Sequence, residues 1–171
     1  MGILKIITDS EADNSYLLNC VNYVTGGHTV ANCFGGMNIC PQQAYMQMMA
    51  VKEYYGKTSG NQLVHFIISL DKKVFDSEIA LNIAYEAAKY YSNRYQIVFG
   101  VHRDSRTRRN GRSSSYLHIH MIMNSVSFVD GKKYAENKRA NYDFVDHLKR
   151  VTNDNNWKVV YGKGKSYDES Y

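Results

Sequence analysis

Apolar residues along this chain recur at two spacings, and the alternation between them predicts a mixed α/β order. Ile3 to Thr8 reads as a short strand. A helix follows, capped by Ser10 or Asn14 and running to Val24. Leu17, Val21 and Val24 recur in it at helical spacing, and Gly26-Gly27 ends it. Thr29 to Phe34 reads as a second strand, closed by Gly35-Gly36. Pro41 suits the first turn of a helix through Tyr55, with Ala44, Met48, Val51 and Tyr55 on one face and Gly56 as its stop. Leu63 to Leu70 has the continuous apolar run of a buried strand. A helix over Ser77 to Ser92 turns Ile79, Ile83 and Ala87 inward. Tyr95–His102 and Tyr116–Val126 read as strands joined by an arginine-rich loop. A last helix covers Asn141 to Asn153, and a strand covers Trp157 to Tyr161. Helices and strands intermixed in this way predict an α+β fold, a largely antiparallel β-sheet with helices packed on one face.

The 171 residues suit one domain, and 44% hydrophobic content supplies a core. The single proline, Pro41, and the lack of any Pro/Ser-rich stretch leave no internal boundary. Residues 1–161 are expected to form the domain, with 162–171 a C-terminal tail or the start of a linker. The net charge of +5 favours a polyanionic partner only slightly. The 15 tyrosines say more, since tyrosine can stack on unpaired bases or act as a nucleophile, besides filling core edges. Cys20, Cys33 and Cys40 are odd in number and form no C-x-x-C pair, which favours reduced thiols. No apolar run approaches the ~18 residues of a membrane span, and Asp9 and Glu11 interrupt the N-terminus too early for a signal peptide. A cytoplasmic protein, monomeric by default, is expected.

Candidate chemistry concentrates in Tyr116 to Asn124. In a strand, His118, His120, Ile122 and Asn124 share one face, while Leu117, Ile119, Met121 and Met123 point into the core. Two imidazoles two residues apart on one face can hold one metal ion. His102 ends the preceding strand and reaches the same place if the two strands form a hairpin. Three neutral imidazoles leave metal positions open for water or a substrate oxygen. Solvated strand histidines are the plainer alternative. Asp104 can orient a ligand imidazole or accept a proton. Arg103, Arg106, Arg108, Arg109 and Arg112 make a cationic loop that suits a phosphodiester backbone, and Asn124 can reach a phosphate or a ligand histidine. His65, on the face of Ser69, reads as a satisfied strand histidine near the site. His28 and His147 read as loop and helix-surface residues.

Val101-His102-Arg103-Asp104 followed by Leu117-His118-Ile119-His120-Met121-Ile122-Met123-Asn124 resembles the third motif of conjugative relaxases. These are HUH endonucleases, and the resemblance is to the MOBP class with its mobilization-nuclease relatives. Leu18 to Thr25 is similar to the family's first motif, which puts Tyr23 at the nucleophile position. Phe66 to Leu70 resembles the second, with Ser69 at its serine. The order tyrosine, serine, histidines is more specific than any one motif. The sequence departs from the family in Gly26-Gly27-His28, where relatives carry a lysine-containing turn.

This resemblance implies strand-specific nicking of single-stranded DNA at an origin of transfer, with an adjacent hairpin. Tyr23 would form a 5′-phosphotyrosine link. A divalent ion would be held by His102, His118 and His120, and histidine donors suit Mn or Zn better than Mg. Accessory DNA-binding and coupling proteins are implied as partners. Two alternatives stand beside it. One is a rolling-circle replication initiator or HUH transposase acting through Tyr142, although Val145 occupies the position where initiators often carry lysine. The other is a non-catalytic module that binds single strands on its sheet.

Overall fold

The computed structural model describes residues 1–8, 13–107 and 113–163, at 105–107, 113–114 and 163 for the backbone alone. In chain order these form β1 (Gly2–Thr8), α1 (Asn14–Thr25), β2 (Thr29–Met37), a 3₁₀ turn (Pro41–Gln43), α2 (Ala44–Tyr54), β3 (Leu63–Ser69), α3 (Ser77–Lys89), β4 (Ile97–Thr107), β5 (Ser113–Asn124), α4 (Lys138–Thr152) and β6 (Trp157–Lys163). The strands make one sheet in the order β2-β4-β5-β3-β1-β6. Every pairing is antiparallel except that of β1 with β6. The fold is therefore α+β, as expected. No helix among the described residues is long and apolar enough to cross a membrane.

The helices cover both faces of the sheet, where the sequence pattern suggested one. On the first face, Phe66, Ile68, Phe99, Ile119 and Met121 pack against Ala80, Ile83, Ala84 and Ala87 of α3 and Phe144 and Leu148 of α4. On the second, Leu63, Val98 and Ile122 pack against Leu17, Cys20, Val21 and Val24 of α1 and Ala44 and Met48 of α2. The central strand β3 explains the difference, because its run Leu63 to Ile68 is buried on both sides, as in any sheet sandwiched between helices. Among the described residues, α1 and α2 cover only the half of the second face nearer β2 and β5. The histidines of β4 and β5 lie on this second face, at the border of the covered part.

Local chemistry adjusts several boundaries. Asp13 caps α1 by accepting from Tyr16 N at 3.0 Å, beside the expected Asn14; Ser10 lies outside the described residues. Gly35 and Gly36 do not close β2 but lie within it. A side chain at Gly35 would strike Tyr85 and Phe99, and one at Gly36 would strike Ile39, so both are close-packing positions. In α3 Ile83 and Ala87 are buried as expected, with Ala80, Ala84 and Ala88 beside them, whereas Ile79 is half exposed. Asn137, through a bond to Ala140 N of 2.8 Å, starts α4 three residues before Asn141. In α2 the inward face ends on Lys52, a fully buried lysine whose Nζ donates to Gln62 O at 2.6 Å and Ser125 Oγ at 3.1 Å. Burial, with Lys133 adding, pulls its ammonium down to about 7.

Much of the expected arginine-rich loop is sheet. The β4–β5 ladder continues past His102↔His118 through Arg103↔Leu117 and Asp104↔Tyr116 to Thr107↔Ser113. The hairpin thus holds its own register, and that register positions the site.

Candidate metal centre and nucleophile

Register brings the three histidines together. His102 lies directly opposite His118 across β4–β5, and His120 lies opposite Gly100. All three side chains fall on the second face and are buried. Their ligand nitrogens lie within 4.8 Å of one another, close enough for a single ion. Burial, reinforced by His118, His102 and Lys5, holds His120 well below the ordinary histidine range. Its imidazole is therefore neutral near neutral pH, the form a metal needs. Close spacing, burial and a neutral ring in a polar cluster fit a metal ion. An all-imidazole donor set favours Zn or Mn over Mg.

Each histidine also touches an outer partner. Asp104 Oδ2 lies 3.6 Å from His118 Nδ1, an ion-pair separation longer than a hydrogen bond. Thr29 Oγ1 donates to Val24 O at 2.7 Å and lies 3.2 Å from His102 Nε2. An ion drawing on His102 Nε2 competes with that contact, whereas Nδ1 leaves it in place. His65 Nε2 lies 2.7 Å from His120 Nδ1.

Tyr23 sits over this cluster. Its ring centroid is 4.9 Å from that of His102 and 5.1 Å from that of His120. What allows this is α1, whose apolar stripe docks on Val98 and Ile122 so that its last turn crosses β4. The crossing is close: a side chain at Gly100 would overlap the Val24 carbonyl oxygen and press on Thr29. Glycine there is a condition of the site, and Gly100→Ala is expected to cost about 1–3 kcal/mol through overpacking. Thermal unfolding reads this, and an unchanged unfolding temperature would mean that α1 is not seated this closely.

Ser69 lies opposite His118 across β3–β5, beside the cluster. Arg103 alternates onto the other face, where its Nη2 donates to Phe75 O at 3.2 Å, so it does not join the histidines. The Arg106 side chain and all of Arg108, Arg109 and Arg112 lie outside the described residues. Asn124 does not fit a DNA contact. It is 0% exposed, its Nδ2 donates to Met48 O at 3.2 Å and Gln96 Oε1 at 3.0 Å, and its Oδ1 accepts from Val126 N at 3.2 Å. It ties α2 to the end of β5. Tyr142 is 59% exposed on α4, the helix packed on the opposite face, so the initiator-type nucleophile is far from the histidines by topology.

Three histidines carry more than their sequence positions suggested. His28, in the turn after α1, packs against the Tyr23 ring at 5.4 Å between centroids, and only the α1–β2 turn geometry reveals it. His65 joins His120. Its alternation with Ser69 put it on the right face, but the contact depends on which strand neighbours β3. His147, expected at a helix surface, bridges α4 to α3 through Glu86 O at 2.8 Å.

Among the described residues, a trough of about 860 Å³ opens from the cluster across the part of the second face beyond α1 and α2. Ile3, Ile67, Leu70 and Val160 line it, with Lys5, Lys72, Lys73 and Lys158 among them; Ser69, Asp104, Tyr116 and His118 line the end at the histidines.

Comparison with known proteins agrees with this geometry. Protein rlx of Staphylococcus aureus is 26% identical over 116 residues, covering 68% of this chain and 32% of that protein. The chain thus spans about a third of the length of the curated relative it matches. No solved structure matches it significantly. The family model described as relaxase, MobA/VirD2-like, nuclease domain, matches residues 16–157, which include Tyr23, Ser69 and all three cluster histidines. By that match over most of its length, the chain belongs to the MobA/VirD2-like relaxase nuclease family.

Proposed function

We propose that this domain is a metal-dependent DNA relaxase, of the MOBP type, that nicks one strand at an origin of transfer by tyrosine transesterification. The observation that carries the proposal is the Tyr23 ring lying against His102 and His120 of the buried cluster. A phenol packed tilted against His102 and edge-on to His120, beside a cluster that could hold a metal ion, is placed for attack on a phosphate bound there. In this reading the bond from the Tyr23 oxygen to phosphorus forms as the bond from phosphorus to the 3′ oxygen breaks. The phenol gives up its proton, and the leaving 3′ oxygen takes one from solvent. The 5′ side stays linked to Tyr23, so the reactivity of the phosphodiester is retained for rejoining.

His102, His118 and His120 would hold the ion. When bound, the ion supplies charge neutralisation at the scissile phosphate. A phenol with a pKa of about 10 still needs a proton acceptor. Asp104 is partly exposed and its carboxylate lies 3.6 Å from His118 Nδ1, so it is read both as the orienting group for His118 and as that acceptor. His28 packs on the same phenol ring and offers a second base. The lysine-bordered trough suits a single strand, with phosphates on Lys5 and Lys158 and bases over the apolar floor and Tyr116. Ser69 lies where the strand would enter. A cytoplasmic setting and coupling or accessory DNA-binding partners follow from this role.

Labelled single-stranded DNA carrying the candidate origin, incubated with Mn²⁺, tests the reading. The expected product is one cut with a free 3′ hydroxyl and a blocked 5′ end, absent in chelator. In Lys5→Ala/Lys158→Ala, single-strand binding weakens and the salt exponent falls by about 0.7 per lost phosphate contact. Binding that persists in chelator with no cut on a verified origin would instead describe a non-catalytic single-strand-binding module.

A further inference from the structure

We infer that His65 is a positioning residue that sets the tautomer and ring orientation of His120, and so decides whether His120 can ligate a metal. The inference rests on reading the histidine cluster as a metal centre. Strand β3 lies beside β5, with Ile67 opposite His120 and His65 opposite Ile122, so His65 reaches His120 diagonally on the same face. Both side chains are buried, and His65 Nε2 stands 2.7 Å from His120 Nδ1. At that separation the two nitrogens share one proton.

The location of that proton has a consequence. For His120 to offer the lone pair of Nε2 to an ion, its ring must carry its proton on Nδ1 and donate it to His65. His65 then accepts at Nε2 and carries its own proton on Nδ1. In the reverse arrangement His65 Nε2 donates, His120 Nδ1 accepts, and the neutral His120 ring is protonated on Nε2, where it can no longer ligate. His65 also turns its Nε2 to His120 Nδ1, not to the cluster. Among the described residues the cluster is His102, His118 and His120, and His65 stands behind it. Ligand histidines anchored through their second nitrogen are a general device for fixing ring direction and basicity.

Zn²⁺ titration of the metal-free protein by calorimetry tests this without reference to nicking. His65→Leu removes the acceptor, and His65→Gln keeps one in its amide oxygen. Zn²⁺ affinity should fall about 10- to 100-fold in His65→Leu and stay within about 3-fold of the parent in His65→Gln. Imidazole ¹⁵N spectra of the Zn²⁺-loaded parent should show His120 bound through Nε2 and protonated at Nδ1. This spectrum decides the matter even if His65→Leu fails to fold. Parent-like affinity in a folded His65→Leu protein, where His118→Ala has lost binding, would overturn the inference and leave the metal centre standing. Ligation through His120 Nδ1 would also overturn it. A parent protein that binds no Zn²⁺ would remove the metal reading and this inference together.

Discussion

Tyr23→Phe is expected to abolish covalent attachment to DNA while leaving the fold and single-strand binding in place. Phenylalanine keeps the ring that packs on His102, His120 and His28, and it removes one hydroxyl from a half-buried position. The α1 stripe that seats the helix is unchanged, since Leu17, Cys20, Val21 and Val24 make it. The loss is therefore chemical. Removing the nucleophile itself should lower nicking by more than about 10³-fold with single-strand affinity changed by only about 2-fold or less, the signature of an interaction made only in the transition state. A denaturing gel of protein and labelled DNA reads both the cut and the adduct. Tyr142→Phe, on the far face of the sheet, should nick normally. An adduct that survives Tyr23→Phe would move the nucleophile to another tyrosine.

The second large effect is at the histidines. His118→Ala removes one of three imidazoles, and His118→Ala/His120→Ala removes two. Two or one remaining imidazoles hold Zn or Mn far less well, so metal affinity should fall by at least about 100-fold in each variant, with nicking lost in parallel. Both rings are buried, and truncation leaves cavities that cost about 2–4 kcal/mol, so folding has to be read separately by circular dichroism and thermal unfolding. A folded double variant that nicks DNA at the parent rate in the presence of chelator would contradict the metal centre.

The parts of the site that could be read in advance depend on local spacing. His118 and His120 share a face because strand side chains alternate, and a hairpin brings His102 to them whatever its loop does. The parts that could not be read depend on distant neighbours. His65 lies on the right face by alternation, yet its bond to His120 exists only because β3 sits next to β5, strands separated by α3 and β4. Gly100 reads as an ordinary strand glycine until α1 is seen to cross it at contact distance. Asn124 carries the same polar signal whether it faces a phosphate or is sealed behind α2. Its burial comes from Met48 and Gln96, which no strand pattern encodes.

The fold divides in the same way. Element order and the antiparallel sheet follow from apolar periodicity, but the two-sided burial of β3 does not separate one covering layer from two. A continuous apolar run such as Leu63 to Ile68 suits either arrangement. In α3 the expected Ile83 and Ala87 are buried, but Ala80 and Ala84, not Ile79, complete the face in the core with Phe66 and Ile119. Small side chains let α3 lie close to the sheet, a gain that hydrophobicity alone does not register.

Mass spectrometry of the protein–DNA adduct, after digestion with protease and nuclease, identifies the residue that attacks the phosphate. The proposed tyrosine mechanism predicts a nucleotide joined through its 5′ phosphate to Tyr23, formed only with metal and with both His118 and His120 present. A nucleotide on Tyr142 or any other residue, or metal-dependent cleavage with no nucleotide on the protein, would contradict it.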